Sequence, residues 1–208
     1  ALARVFGGWL SLVDAAHREE YGGDHTTLHS TAPRWCPPDG DPSRYIGVGE
    51  ALSWWDSSRA ALVATIRQAA RAGFVTHSWD LALRCVTLFE VKAYFDDWKV
   101  TTTLAHNAAI AAGDAPGIAA MRYSLGTWCM AQSKFAEATH WFTQAEDAFT
   151  ATGNPHGVAL TLRNAAHVDG AQGRAALMLA KYARALPTVR SVGDRIAEAD
   201  ILRAQARH

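Results

Sequence analysis

A chain of 208 residues, 49% of them hydrophobic, with a mean hydropathy of −0.08, has the makeup of one globular domain or a small repeat array. Its 20 basic and 20 acidic side chains cancel, which leaves no positive excess for gripping a nucleic-acid backbone directly, and no apolar run reaches membrane-spanning length. The three cysteines, Cys36, Cys85 and Cys129, lack metal-ligand spacing and read as the reduced thiols of a cytoplasmic protein.

Taken in order, residues 2–20 place Leu2, Val5, Phe6, Trp9, Leu12, Val13 and Ala16 on one face of a helix. Arg4 and Asp14 interrupt it and no basic n-region precedes it, so it is not a signal peptide. From Tyr21 to Val48 the periodicity collapses. Four prolines (Pro33, Pro37, Pro38, Pro42) and glycines at 22, 23, 40 and 47 predict a long loop, with Trp35, Tyr45 and Ile46 as its anchors. His25, His29 and Cys36 fall inside it. The neighbouring Gly22-Gly23 and Thr26-Thr27 argue against the helix a four-residue His pair needs to share a metal, so these read as surface polar residues.

Helix returns at Gly49, with Leu52, Trp55, Leu62, Ile66 and Ala69 on one face, and Gly73 ends it. Gly73, Gly113, Gly153 and Gly193 then recur every 40 residues, the last three followed by Asp114, Asn154 and Asp194. Glycine accepts the left-handed conformation that closes a helix, and Asp or Asn caps the next one. Second breaks at Gln132-Ser133-Lys134 and Gln172-Gly173-Arg174 divide each unit into two helices, A and B. The pattern predicts helices over about 76–93, 96–112, 115–132, 135–152, 155–172, 175–191 and 195–207. Pro187 should kink or end the penultimate one near Ala183. Trp79, Trp128 and Trp141 sit on apolar faces, and all eight tryptophans are candidates for the core.

Inside the second unit, Leu125-Gly126, Cys129, Phe135, Ala138, Phe142 and Ala145 fall at the spacing of the tetratricopeptide (TPR) signature, which they resemble. The third unit keeps Ala165-Ala166, Gly173, Met178, Tyr182 and Ala185; the first keeps Phe95 and Ala105 but has Trp98 where a small residue belongs. The expected fold is all-α: a right-handed superhelical α-solenoid of TPR-like helix pairs. Its divisions are 1–48 (N-terminal helix and loop), 49–73 (connecting helix) and 74–208 (the array). Within the array they are 74–113, 114–153, 154–193 and a partial or capping repeat at 194–208.

The run from Ala51 to Ala64, Ala-Leu-Ser-Trp-Trp-Asp-Ser-Ser-Arg-Ala-Ala-Leu-Val-Ala, resembles a stretch of actinobacterial SARP/AfsR-type transcriptional regulators. There it joins a nucleotide-binding switch domain to a TPR array. Asp97-Trp98 and Gly113-Asp114…Gly117 are similar too, while Trp54-Trp55 and Ser57-Ser58 depart from the family pattern. The absence of an initiating Met and the partial last repeat add the expectation of a piece of a longer protein, with nucleotide-binding and DNA-binding domains elsewhere.

The TPR resemblance implies that A helices line a concave groove. Its candidate binding residues are Asp80, Thr87 and Glu90 in the first unit, Tyr123 and Thr127 in the second, and Arg163, Asn164 and His167 in the third. The Arg163-Asn164 pair is similar to the clamp some TPR domains use for a carboxylate. P-loop, G-x-S-x-G, H-E-x-x-H and C-x-x-C motifs are all missing, and no cofactor, metal or catalytic role is expected. The expectation is a non-catalytic interaction or sensor module of a transcriptional regulator, binding a protein partner or its own upstream domains. The alternatives are a receptor for a small-molecule or peptide inducer and an oligomerisation scaffold that forms homodimers.

Overall fold

The computed structural model of the chain describes residues 1–21, 28–36, 40–47 and 49–207. Among them secondary structure is helical throughout: α1 (Leu2–Tyr21), α2 (Ala51–Arg71), α3 (Val75–Arg84), α4 (Val86–Val91), α5 (Phe95–Ala112), α6 (Ala115–Ala131), α7 (Phe135–Ala151), α8 (Pro155–Ala171), α9 (Ala175–Ser191) and α10 (Arg195–Gln205), with a 3-10 turn at Pro42–Tyr45. No described helix is long and apolar enough to cross a membrane.

The turns set this order. From residue 73 to residue 193, every twentieth residue has a positive φ: Gly73, Ala93, Gly113, Ser133, Gly153, Gly173 and Gly193. The 40-residue glycine period is thus half of a finer rule, in which each helix and its turn occupy 20 residues. Ala93 and Ser133 adopt φ of 56° and 57° despite carrying a Cβ, so two of these turns are closed under strain. The caps act as their residue types require. Asp114 Oδ1 accepts from the Gly117 N–H (2.9 Å), Asn154 Oδ1 from Gly157 (2.8 Å) and Asp194 Oδ1 from Ala197 (2.9 Å).

The chain divides into two compact regions, one running from α1 to Gly117 and the other from Ile118 through α10. In the first, α1 packs on α2 and α3, α2 on α3 and α5, and α5 on α3 and α4. Phe6, Leu10, Val13, Trp55, Leu62, Ile66, Leu81, Phe89 and Trp98 are fully buried there, and Phe6 meets Phe74 edge-on at 5.1 Å. The N-terminal helix, which lies outside the repeat period in sequence, therefore shares a core with the first repeat. The single helix expected over 76–93 is interrupted at Cys85, just ahead of the β-branched pair Val86 and Thr87. The Trp79 indole N–H donates to Asp114 Oδ2 (3.3 Å), tying α3 to the cap of α6.

In the second region α7 packs on α8, α8 on α9, and α10 on both α9 and α8. Ala138, Ala145 and Ala185 are completely buried, as small residues at close helix approaches must be. The closest approaches belong to glycines. A Cβ on Gly126 would lie 2.6 Å from the Phe142 ring, and one on Gly157 would lie 2.4 Å from that of Phe149. Pro187 does not end its helix, since α9 runs through to Ser191. Both Pro187 and Ala183, whose carbonyl loses its partner, face solvent, so the break falls on the exposed side of the helix.

Of the three loop anchors, Ile46 is buried, Trp35 is 42% exposed and Tyr45 is 62% exposed. Trp35 is held through its backbone instead, its N–H donating to the Gly7 carbonyl (3.1 Å). Trp35 is accordingly not a core tryptophan, and Trp141 is only half-buried, whereas Trp79 and Trp128 are core.

Candidate functional site

Tyr123 and Thr127 on α6 and Arg163, Asn164 and His167 on α8 come together in the second region. The Asn164 amide Nδ2 donates to the Tyr123 hydroxyl (3.2 Å) and to Thr127 Oγ1 (3.0 Å), while Thr127 Oγ1 donates to the Tyr123 carbonyl (3.0 Å). Asn164 Oδ1 in turn accepts from Arg163 Nε (3.1 Å). The guanidinium continues the line, with Nη1 3.8 Å from Asp200 Oδ2 on α10. A polar ladder therefore crosses three successive A helices: Tyr123, Asn164, Arg163, Asp200.

Burial sorts these residues into two roles. Asn164 and Thr127 are buried, so they orient their neighbours and are not available as contact residues. Tyr123 and Arg163 are half-buried and His167 is exposed, which leaves these three for a partner. The tyrosine ring also leans on Phe142 (6.4 Å), restricting its rotamers.

Beside the ladder, α8, α9 and α10 border a half-open pocket of about 270 Å³ lined by His167, Met178, Tyr182, Asp200, Arg203 and Arg207 among others. The Tyr182 hydroxyl lies 3.3 Å from His167 Nδ1. Burial pushes the Tyr182 phenol up to about 12, so it keeps its proton. Partial desolvation of the ring, with the Arg163 charge adding to it, holds the His167 imidazole below its ordinary value. Phenol and imidazole therefore face each other uncharged at neutral pH, at hydrogen-bonding distance.

Asp200, Arg203 and Arg207 are not among the groove candidates read from sequence. They stand one 40-residue step beyond Leu160, Arg163 and His167, so carrying the period into the last helix would have found them. Asp169, at the other side of α8, is taken up by Arg174 (2.6 Å) and Lys181 (2.5 Å). Burial works to raise its carboxyl, but those two hydrogen-bonded cations outweigh it and hold the group below the usual range.

The first-region candidates have other employment. Asp80, expected at the groove surface, is fully buried: its Oδ2 accepts from the Ser30 N–H (2.9 Å) and Ser30 Oγ (2.7 Å) and lies 2.7 Å from Arg34 Nη2. Thr87 Oγ1 accepts from the Tyr21 hydroxyl (3.3 Å), and Glu90 is exposed near the end of α4. Of the histidine–cysteine trio in the loop, His25 lies outside the described residues. His29 Nδ1 is 3.2 Å from the Ser30 carbonyl, and Cys36 is exposed as a free thiol. Cys85 and Cys129 are buried free thiols, the former pushed up to about 12 by burial. Compared with protein-family models and with curated proteins, the chain matches none.

Proposed function

We infer that this chain is a non-catalytic interaction module whose A-helix face from α6 to α10 binds a protein partner or another segment of a longer parent protein. A right-handed TPR-type stack within a cytoplasmic transcriptional regulator is part of the same reading. The observation that carries it is the polar ladder. Tyr123 and Arg163 are half-buried, held in fixed positions by buried Asn164 and Thr127, and aromatic and arginine side chains so held are the usual anchors of a protein interface. A planar guanidinium suits a partner's carboxylate, and the tyrosine supplies a rigid surface beside it. Purified chain used as bait identifies the partner by affinity capture. Tyr123→Ala and Arg163→Ala should then each weaken binding by about 1–2 kcal/mol without lowering helix content. Full binding by both variants, with loss on Leu177→Ala of the exposed α9 surface, would overturn the reading.

A second reading rests on the pocket. A space of about 270 Å³ walled by a neutral imidazole, a protonated phenol, one carboxylate and two guanidinium groups suits a small polar inducer that carries a negative charge. Calorimetric titration with carboxylate- and phosphate-bearing compounds separates the readings. Under this one, Arg203→Ala lowers small-molecule affinity while Tyr123→Ala leaves it unchanged.

A further inference from the structure

The segment from Ser30 to Trp35 lies across α1 and α3 outside any helix, bending at Thr31, and its burial alternates along the chain. Ser30 and Ala32 are buried and Arg34 is half-buried, while Thr31, Pro33 and Trp35 face solvent. A period of two is how a single extended strand lies in a groove, reading it with every other side chain. The surface beneath is made for it. On α3, Asp80 collects the Ser30 N–H, the Ser30 hydroxyl and Arg34 on one oxygen; on α1, Asp14 Oδ2 accepts from Arg34 Nε (3.0 Å). Arg84 Nε lies 3.2 Å from Asp14 and 3.6 Å from Asp80, so α1 and α3 alone present two carboxylates and one cation. Arg34 of the segment neutralises the remaining charge. Gly7 completes the seat: a methyl group there would sit 2.6 Å from the Pro33 carbonyl oxygen, and the Gly7 carbonyl accepts from the Trp35 N–H.

We propose that this face of α1 and α3 is a binding site for an extended peptide with a hydroxyl residue and an arginine four positions later, occupied in cis by residues 30–35 of the same chain. The contacts that hold the segment are chiefly polar. Releasing it rehydrates Asp80, Asp14 and Arg34, and the return of those charges to water offsets part of the lost ion pairing. A partner carrying the same pattern then takes the seat in trans. This site is independent of the α6–α10 face, and neither reading depends on the other.

Two experiments test it. Hydrogen exchange on the unmodified chain should find the Ala32 and Trp35 amides exchanging at least tenfold faster than the Leu81 and Ala82 amides of α3. Gly7→Ala, which crowds the seat without altering a charge, should accelerate only the segment's amides. Exchange of Ala32 and Trp35 as slow as the α3 amides would make the segment a permanent part of the core and overturn the proposal. In the second experiment a fluorescent peptide of residues 28–35 is titrated against the unmodified chain and against Ser30→Ala/Arg34→Ala. The double variant should bind at least tenfold tighter, and adding Asp80→Asn should reverse that gain. A folded double variant that takes the peptide no better than the parent, or binding indifferent to Asp80→Asn, also overturns it. Should the double variant fail to fold, the exchange experiment decides alone.

Discussion

The two A-helix faces share a register and treat the same side chain in opposite ways. Asp80 and Asp200 occupy equivalent places, three 40-residue steps apart. Asp80 is fully buried under its own chain, with three donors on one oxygen. Asp200 stays 35% exposed, with guanidinium groups of Arg163 and Arg203 at 3.8 and 3.4 Å. A covered carboxylate is committed to the groups that cover it, because losing any of them leaves a charge out of water. An uncovered one keeps its hydration, so its ion pairs contribute little to stability and stay free to exchange partners. The difference separates an occupied face from an available one.

The largest effect should come from breaking that contrast directly. Asp80→Ala leaves Arg34 and Arg84 short of a partner and should cost about 3 kcal/mol, whereas Asp200→Ala should cost less than about 1 kcal/mol. Urea denaturation of both variants measures the two values, and equal losses would erase the distinction between the faces.

Packing in the second region gives the next effect. Gly157→Ala drives a methyl into the Phe149 ring, and Ala138→Leu overfills a completely buried site, so each should destabilise by about 1–3 kcal/mol. Thermal melts indistinguishable from the parent would mean that α7 and α8 are not closely packed at those points.

Each region also carries a histidine held below its ordinary value. For His77 the cause is burial beside Phe6 and Phe74, reinforced by Arg34 and opposed by Asp80; for His167 it is partial desolvation of the ring and then Arg163. Since the unfolded chain protonates first, stability should fall as pH drops below about 6.5, the unfolded histidine value. Asp169 adds a separate loss at lower pH: its contribution is present above the unfolded value of about 3.9 and disappears as pH falls through the depressed folded one. Urea melts between pH 5 and 8 should lose part of their slope in His77→Phe and another part in His167→Gln. A slope unchanged in both would show that neither imidazole is the source.

The smallest effect runs in the favourable direction. Ser133 and Ala93 hold a left-handed turn that glycine holds at the other twentieth positions. Ser133→Gly and Ala93→Gly, one in each region, should therefore each stabilise by about 0.5–1 kcal/mol in chemical denaturation. Destabilisation by either would indicate that its side chain does more for the turn than its φ costs.

Much of the architecture was readable from local signals. Gly73, Gly113, Gly153 and Gly193, with Asp114, Asn154 and Asp194 after three of them, announce helix ends because left-handed φ and N-capping are properties of single residues and their immediate neighbours. The 40-residue period likewise brought Tyr123, Thr127, Arg163, Asn164 and His167 to one face. It could not say that Asn164 and Thr127 would be buried as supports, since burial depends on which neighbour closes over a side chain. The breaks near residues 93 and 133 were legible, but not the left-handed φ that Ala93 and Ser133 adopt there, since no glycine stands at either position.

By itself, then, the sequence determined where the chain turns, that it is helical between turns, and which residues repeat in register. Only the tertiary structure decided the course of the loop. Ser30 and Arg34 lie 50 and 46 positions before Asp80, in a stretch with no periodicity to read, and they meet it because α1 and α3 happen to place Asp14, Asp80 and Gly7 beneath them. Helix capping acts over three or four residues and leaves its mark in a pattern. A hydrogen-bonded ion network between distant segments is set by the three-dimensional path of the chain, and no local spacing records it.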